Sequence, residues 1–291
     1  DSVADRWRSV VLFVVDRGAD RTLEVLEEIA RGDLSVRVLA LSARFGHQMS
    51  LLAGLDHCDS DAVVMMDSDL QHPPALIPEL LAGFERGYDI VYTVREDGPG
   101  VPVLKRVTSR LFYRVFNRIS DTPINESAAD FRLVSRRVVE VFQRQIRERN
   151  QFLRGLFGWV GFPSEAVAFR AAGRPAGRTK YSVRRMVRFG VDGVVSFSKA
   201  PLKAAVYVGL AFGALGFLVA LLTLAQYLSS RSFPSGWTTV AILVSIFSGT
   251  QLVFLGILGE YLGAIFDEVK GRPHYIVERR INFPPRPEGP A

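Results

Sequence analysis

The segment Asp67-Ser68-Asp69-Leu70-Gln71-His72-Pro73-Pro74 holds the side chains of this sequence best suited to chemistry. Its two aspartates follow an apolar run, Ala62-Val63-Val64-Met65-Met66, that reads as a buried strand. Carboxylates at a strand end add little to packing. They suit a divalent cation, because Mg²⁺ and Mn²⁺ favour oxygen ligands and bind through one or two carboxylates together with substrate phosphates. The Pro73-Pro74 pair then ends the strand and starts a new segment.

The elements that must position these residues alternate. Apolar runs at 10–15, 36–41 and 90–94 read as further strands, and helices are expected near 22–31, 47–58 and 76–87. Such alternation predicts an α/β fold with a mostly parallel sheet covered on both faces. Ligands of such sheets bind at the carboxyl ends of the strands. Asp16, Arg44, Asp67, Asp69 and Arg95 all fall at or just after those ends and are expected to converge on one crevice. Arg95 is there either to bind a donor or acceptor phosphate or as a surface arginine.

The last third has a different character. Residues 204–228 and 237–259 form two uncharged, mainly apolar runs, each longer than the ~20 residues needed to cross a bilayer core. Lysines and arginines crowd both outer flanks and leave only Arg231 in the short loop between, which predicts both flanks on the cytoplasmic side. The competing reading is a buried helical hairpin of a soluble protein. Just upstream, Val183, Met186, Val187, Gly190, Val191 and Val194 recur at helical spacing opposite Arg184, Arg185 and Arg188. That pattern predicts an amphipathic helix lying in the membrane interface, or else an ordinary helix packed on a core.

The bulk numbers agree. The chain has 291 residues, 48% of them hydrophobic, and a net charge of +6. The part before the first apolar run is long enough for one α/β domain with a substantial core. The basic surplus around the spans suits anionic lipid headgroups, and no nucleic-acid recognition motif accompanies it. A single cysteine, Cys58, excludes an intrachain disulfide and any cysteine-rich metal site. The proline-rich end, 284–290, reads as a frayed tail.

Several segments in order resemble a known family: Ser42-Ala43-Arg44-Phe45-Gly46-His47-Gln48, the Asp67–Pro74 string, Ala129-Asp130-Phe131-Arg132-Leu133, and Arg154-Gly155-Leu156-Phe157-Gly158-Trp159. Arg174-Pro175-Ala176-Gly177-Arg178-Thr179-Lys180-Tyr181, Ser196-Phe197-Ser198-Lys199-Ala200-Pro201-Leu202 and Gly259-Glu260-Tyr261-Leu262-Gly263 follow. Together they resemble the polyprenyl-phosphate glycosyltransferases of glycosyltransferase family 2, closest to the bactoprenol glucosyltransferase branch and further from dolichol-phosphate mannose synthases.

The resemblance implies a GT-A catalytic domain over 1–181, an amphipathic juxtamembrane segment over 182–203, a two-helix transmembrane hairpin over 204–266 and a cytoplasmic tail over 267–291. It implies inverting transfer of a sugar from a nucleotide sugar, expected to be a UDP-sugar, to undecaprenyl or a similar polyprenyl phosphate. It places the enzyme in the cell (inner) membrane, with its catalytic domain and both termini cytoplasmic. Asp67 and Asp69, with Gln71 nearby, are implied to serve a Mg²⁺ or Mn²⁺ diphosphate site, Asp130 to occupy the position assigned as base, and Arg174, Lys180 and Tyr181 to belong to a loop closing over the phosphates. Arg178 adds a further cationic donor on that glycine-containing loop. Asp16 falls in the segment that matches the family's Val-Asp-Asp-Gly-Ser motif and is expected among the residues that bind the donor.

A phosphate monoester has a second pKa near ~6, so the acceptor is already largely ionised at neutral pH. Asp130 is therefore expected to orient the acceptor or a basic partner such as Arg132 rather than act as a strong base; an ion pair with Arg132 or a helix cap are its plain structural alternatives. His47 reads as a helix-start residue and His72 as a turn residue.

The chain also departs from the family pattern. It lacks the usual opening strand with its Pro-x-Tyr-Asn-Glu-Glu turn, as though it began at the second strand. Arg17 and Ala19 stand where Val-Asp-Asp-Gly-Ser has its second Asp and its Ser, or a one-residue shift matches Asp16 to the second Asp and loses the glycine; Arg44 replaces the usual Asn. Two rival functions follow, a non-catalytic membrane scaffold on a degenerate transferase domain and a processive polysaccharide synthase. Gly209, Gly213 and Gly216 put small residues along the first span, as a helix-packed homo-oligomer would use.

Overall fold

The computed structural model describes residues 6–69, 71–95, 128–149, 151–169, 198–230 and 236–284. Strand β1 (Val11–Val15), helix α1 (Thr22–Gly32), β2 (Val36–Leu41), α2 (His47–Asp56), β3 (Ala62–Met65), α3 (Ile77–Glu85) and β4 (Ile90–Arg95) follow one another as the alternation predicts. A 3₁₀ turn, Pro74–Leu76, precedes α3 where the proline pair stops the strand segment. Then come β5 (Ala128–Ser135), α4 (Arg136–Arg144), α5 (Leu153–Trp159), β6 (Ser164–Phe169), the long helices α6 (Ala200–Ser230) and α7 (Trp237–Val269), and β7 (Val277–Ile281).

The strands form two sheets, ordered β1-β2-β7 and β3-β5-β4-β6. The pairs β1–β2 and β4–β6 are parallel. Strand β5 lies antiparallel between β3 and β4, and β7 runs antiparallel to β2, so the α/β class holds with a mixed sheet. Alternation fixes direction only where one helical crossover links two strands of a sheet. Strand β7 is not reached that way, since both α6 and α7 precede it. The reversal of β5 matters for the site: its amino end lies at the same sheet edge as the carboxyl ends of β3 and β4, with Met65 and Tyr92 both in register with Arg132.

Packing fixes these strands from both sides. Leu26 and Ala30, one helical turn apart on α1, are buried against Val36 and Val38 of β2. On the other sheet, Val138, Val139 and Phe142 of α4 join Leu55 of α2, Met65 of β3 and Phe157 of α5 in one cluster. Helix α2 thus touches both sheets, since its Ala53 packs with Leu39 and Leu41 of β2. Helix α3 approaches β4 so closely that a Cβ on Gly83 would stand 2.8 Å from the Val91 side chain. Only glycine fits there without a shift.

Helices α6 and α7 carry segments, Ala200–Gln226 and Ile242–Val269, with mean hydropathies of 2.3 and 2.0 and no buried share. Both are long and apolar enough to cross a membrane, and their apolar faces are exposed rather than packed in a core. An aqueous protein does not leave apolar surface of that extent uncovered, so the soluble-hairpin reading is not supported. Both helices run past the apolar runs of the sequence, because helical hydrogen bonding does not stop at the first charge. Phe212 and Phe247 meet edge to face at 5.5 Å between ring centroids. At the other end, the Tyr261 hydroxyl donates to the Ser198 carbonyl at 2.6 Å, and the Ser198 hydroxyl accepts from Ala200 N–H. Residues 182–197, where the amphipathic helix is expected, lie outside the described residues.

The segment after α7 is not a free tail in its described part. Beyond β7, the Asn282 side chain donates to the carbonyls of Ala30 and Val36 at 2.6 and 2.8 Å. The Tyr275 hydroxyl donates to Asp56 and Arg280 donates to Nε2 of His57. The chain therefore returns from α7 to brace α1, β2 and α2.

Candidate active site

Four side chains meet at the strand ends. Asp67 follows β3, Asp130 lies near the amino end of β5, His47 opens α2 and Arg154 lies in the first turn of α5. The His47 Nε2 stands 3.2 Å from Asp130 Oδ2 and 3.5 Å from Asp67 Oδ1, so one imidazole links the two carboxylates. Arg154 donates from Nε to Asp130 Oδ1 and from Nη2 to Oδ2, both at 2.8 Å, a bidentate pair. Arg132 Nη2 lies 3.7 Å from Asp130 Oδ1.

Asp130 is thus a buried hub, only 5% exposed. Burial by itself raises its pKa. Hydrogen bonds from Arg154 and His47 and the charges of Arg154 and Arg132 outweigh that and hold it well below the usual carboxylate range. For His47 the hydrogen bond to Asp130 raises the pKa against burial, with Asp67 adding to the rise, and so favours the imidazolium. Arg132 is pushed down to about 10 by burial, against the pull of Asp130. Its Nη2 donates to the Ala129 carbonyl, and its guanidinium lies 4.5 Å over the Phe157 ring. The ion pair expected between Asp130 and Arg132 is present at longer range, while Arg154 supplies the close contact. Asp130 lies in a strand, so it is no helix cap.

The loop after β3 is more open. Asp67 N–H donates to His72 Nδ1 at 3.0 Å, which folds the segment back on itself. His72 is buried and stacks on Phe131 at 5.2 Å, so this turn residue is a core anchor for the loop. Asp69 is exposed, and Gln71 donates to it twice, from its backbone N–H at 3.1 Å and from its side-chain amide at 2.7 Å. Gln71 therefore orients Asp69. Among the described residues no cluster of three or more His, Cys, Asp or Glu side chains forms a metal cage. A pair of carboxylates on an exposed loop fits a hard cation that completes its shell with phosphate and water, and does not fit a closed zinc site.

The other expected site residues divide. Both oxygens of Asp16 accept from backbone, Oδ1 from Phe45 N–H at 3.1 Å and Oδ2 from Gly46 N–H at 2.8 Å. Gly46 has φ +93°, the left-handed region that glycine adopts without strain. Asp16 thus braces the turn that presents His47. Arg95 is exposed at the end of β4, in register with Phe169, whose ring meets His72 at 6.2 Å. Arg44 is exposed on the turn before α2. Arg174, Arg178, Lys180 and Tyr181 lie outside the described residues. Asp16, Asp67, Asp69, Arg95, Asp130 and Arg132 do gather at one edge of the two sheets. Sequence reasoning gave no chemical role to His47 or Arg154; their only signal was membership of the motifs that carry the resemblance.

Comparison with known proteins gives the family of the chain. Residues 1–142 match the family model described as glycosyl transferase family 2. The chain belongs to that family. It is 40% identical over 269 residues to the uncharacterized glycosyltransferase YkcC of Bacillus subtilis, spanning 92% of this chain and 83% of that protein. It is 36% identical to the bactoprenol glucosyl transferase of Shigella phage SfII, over 92% of this chain and 87% of that one. A glycosyltransferase of Synechocystis, sll0501, is also 36% identical over 92% of this chain. The resemblance read from the motifs is borne out.

Proposed function

We propose that this protein transfers one sugar from a nucleotide sugar, of the UDP type, to a polyprenyl phosphate at the cytoplasmic face of the membrane, with inversion at the anomeric carbon. The observation that carries the reading is the adjacency of an open carboxylate pair, Asp67 and Asp69, to a cation-rich hub around Asp130, in a domain tied to two long apolar helices. The names of the bactoprenol glucosyl transferases support the acceptor class.

Asp67 and Asp69 would hold Mg²⁺ or Mn²⁺ against the donor diphosphate, and Gln71 sets the direction of Asp69. The ion, when bound, neutralises charge growing on the leaving diphosphate. In the transfer, an acceptor phosphate oxygen forms a bond to the anomeric carbon as the bond to the nucleotide diphosphate breaks, its electron pair leaving with the diphosphate. The acceptor arrives largely ionised, so no strong base is needed. Asp130 is poorly placed to act as one: it is buried and both its oxygens already accept from cations. Its role in this reading is to orient the cations beside it. Arg174, Arg178, Lys180 and Tyr181 would add donors to the donor phosphates, and Arg95 and Arg132 add positive potential at the same edge.

The test is mass spectrometry of lipids after the protein, in membranes or detergent, is incubated with undecaprenyl phosphate, Mg²⁺ or Mn²⁺ and a mixture of nucleotide sugars. The expected result is a single hexose-, N-acetylhexosamine- or pentose-sized increment on the lipid. A ladder of increments points to a processive synthase, and no product from folded protein points to the scaffold.

A further inference from the structure

Helix α7 ends in a turn that is clamped from outside. Gly271, one residue past the cap residue Lys270, has φ +59° and turns the chain back toward the catalytic domain. A turn at the end of an element is where hinge motion is absorbed. Arg149 bridges this one. Its backbone N–H donates to the Glu268 carboxylate at 2.6 Å, before the turn. Its guanidinium donates to the carbonyls of Arg272 and Pro273 at 3.1 and 2.7 Å, beyond the turn. One residue of the catalytic domain thus holds both arms. The guanidinium also brings positive charge to the carboxyl end of a long helix, where the helix dipole favours it.

The clamp connects to the crevice by two short routes. In one, His274 Nε2 stands 3.1 Å from the Arg147 carbonyl, and the Arg147 guanidinium donates to Asp56 at 2.7 and 3.0 Å. The Tyr275 hydroxyl donates to the same carboxylate at 2.8 Å. Asp56 closes α2, the helix that His47 opens. In the other, Leu153 N–H, four residues after Arg149, donates to the side chain of Gln48, the neighbour of His47. Toward the apolar helices, the bond from Tyr261 to the Ser198 carbonyl ties α7 to the start of α6 about two helical turns before Glu268.

The two substrates of the transfer differ in how they arrive. A nucleotide sugar diffuses in water and approaches from any direction. The phosphate of a polyprenyl phosphate is confined to the membrane surface. A crevice that serves both must keep one orientation to the apolar helices, since misplacement of a reacting group is costly in rate. The turn at Gly271 is a place where that orientation can be lost, and Arg149 closes it.

We propose that Arg149 is a positioning residue that locks α7 to the catalytic domain, so that the crevice faces the membrane-confined acceptor. This rests on the transfer reaction proposed above.

The experiment is steady-state kinetics of the full chain in lipid vesicles, for wild type, Arg149→Ala, Arg149→Lys and Glu268→Ala. Two acceptors are compared, undecaprenyl phosphate in the vesicles and geranyl phosphate supplied in water. Thermal unfolding checks that each variant is folded. A hydrogen bond involving a charged group carries about tenfold in an equilibrium or rate. Arg149→Ala is expected to lower kcat/KM for undecaprenyl phosphate by about that factor and to leave kcat/KM for geranyl phosphate and KM for the nucleotide sugar within about twofold. Arg149→Lys is expected to recover part of the loss, since its ammonium still donates to a carbonyl but lacks the fork. If Arg149→Ala does not fold, Glu268→Ala decides by the same criterion. Equal losses on the two acceptors, which a merely structural role gives, overturn the proposal, and so does an undiminished rate on undecaprenyl phosphate. If wild type does not use geranyl phosphate, the nucleotide-sugar KM is the soluble arm: no change supports the proposal and a rise matching the lipid loss overturns it. Wild type that makes no lipid-linked sugar fails the reaction itself, and the proposal with it, a result distinct from an active wild type with an insensitive Arg149.

Discussion

The Asp67–Gln71 loop and the Asp130 hub stand at the same sheet edge and are built in opposite ways. In the loop, Asp69 is exposed and oriented by a neighbour two residues on. At the hub, Asp130 is enclosed and saturated by groups brought from α2, α5 and its own strand. An exposed carboxylate with its direction set is suited to a ligand that comes and goes. One buried among cations is suited to holding those cations still. In the proposed function the two aspartate sites thus divide the work: one would face the donor and its metal, while the other organises positive charge.

The sharpest way to break this division is to neutralise each side in turn. Asp69→Asn is expected to lower transfer by about 10²–10³-fold, the scale seen when one charge-stabilising group is lost from a transition state, with little change in unfolding temperature because the residue is exposed. Removal of divalent metal with a chelator is expected to produce a similar loss, reversed by adding Mg²⁺ or Mn²⁺. Asp130→Asn inverts the pattern in stability. It strands the charges of Arg154 and Arg132 and is expected to cost about 3–5 kcal/mol, read by denaturant unfolding. Equal unfolding curves for Asp69→Asn and Asp130→Asn would erase the distinction.

A subtler effect is on pH. Asp130 has its folded pKa below the unfolded value of about 3.9, so its stabilisation is fully present above that value and is lost only as pH falls through the lower folded one. The stability gap between wild type and Asp130→Asn should therefore stay level from about pH 5.5 to about pH 4, below the range in which His47, whose pKa Asp130 raises, changes charge. A gap that already narrows within that range contradicts the saturated hub. The smallest effect belongs to Gln71→Ala, which frees Asp69 from its side-chain donor. A few-fold rise in the metal concentration needed for half-maximal activity is expected, in line with the loss of one exposed hydrogen bond to a charged group.

Much of this was legible in the sequence, for local reasons. The strands β1 to β4 and helices α1 to α3 are short periodic segments separated by turn residues, and they appear within a few residues of the expected ranges. The Asp67–Asp69 pair was legible because strand end, carboxylates and proline stop are contiguous. The hub was not, because His47 reaches Asp130 across 83 positions and only the antiparallel entry of β5 brings them together. Strand β7 was read as tail because Val277-Glu278-Arg279-Arg280-Ile281 shows too little apolar alternation. Its place depends on pairing with β2 and on the Asn282 bonds to distant carbonyls. Asp16 was legible as a strand-end carboxylate, but its partners, the N–H groups of Phe45 and Gly46, are visible only once β1 and β2 lie side by side.

The division between the two sites is tested most directly by calorimetric binding of UDP in the presence of Mn²⁺ to wild type, Asp69→Asn and Arg154→Gln. The expected result is metal-dependent binding by wild type, binding lost in Asp69→Asn and binding kept in Arg154→Gln. Wild-type binding that persists in chelator, or Asp69→Asn protein that binds as tightly as wild type, would contradict it.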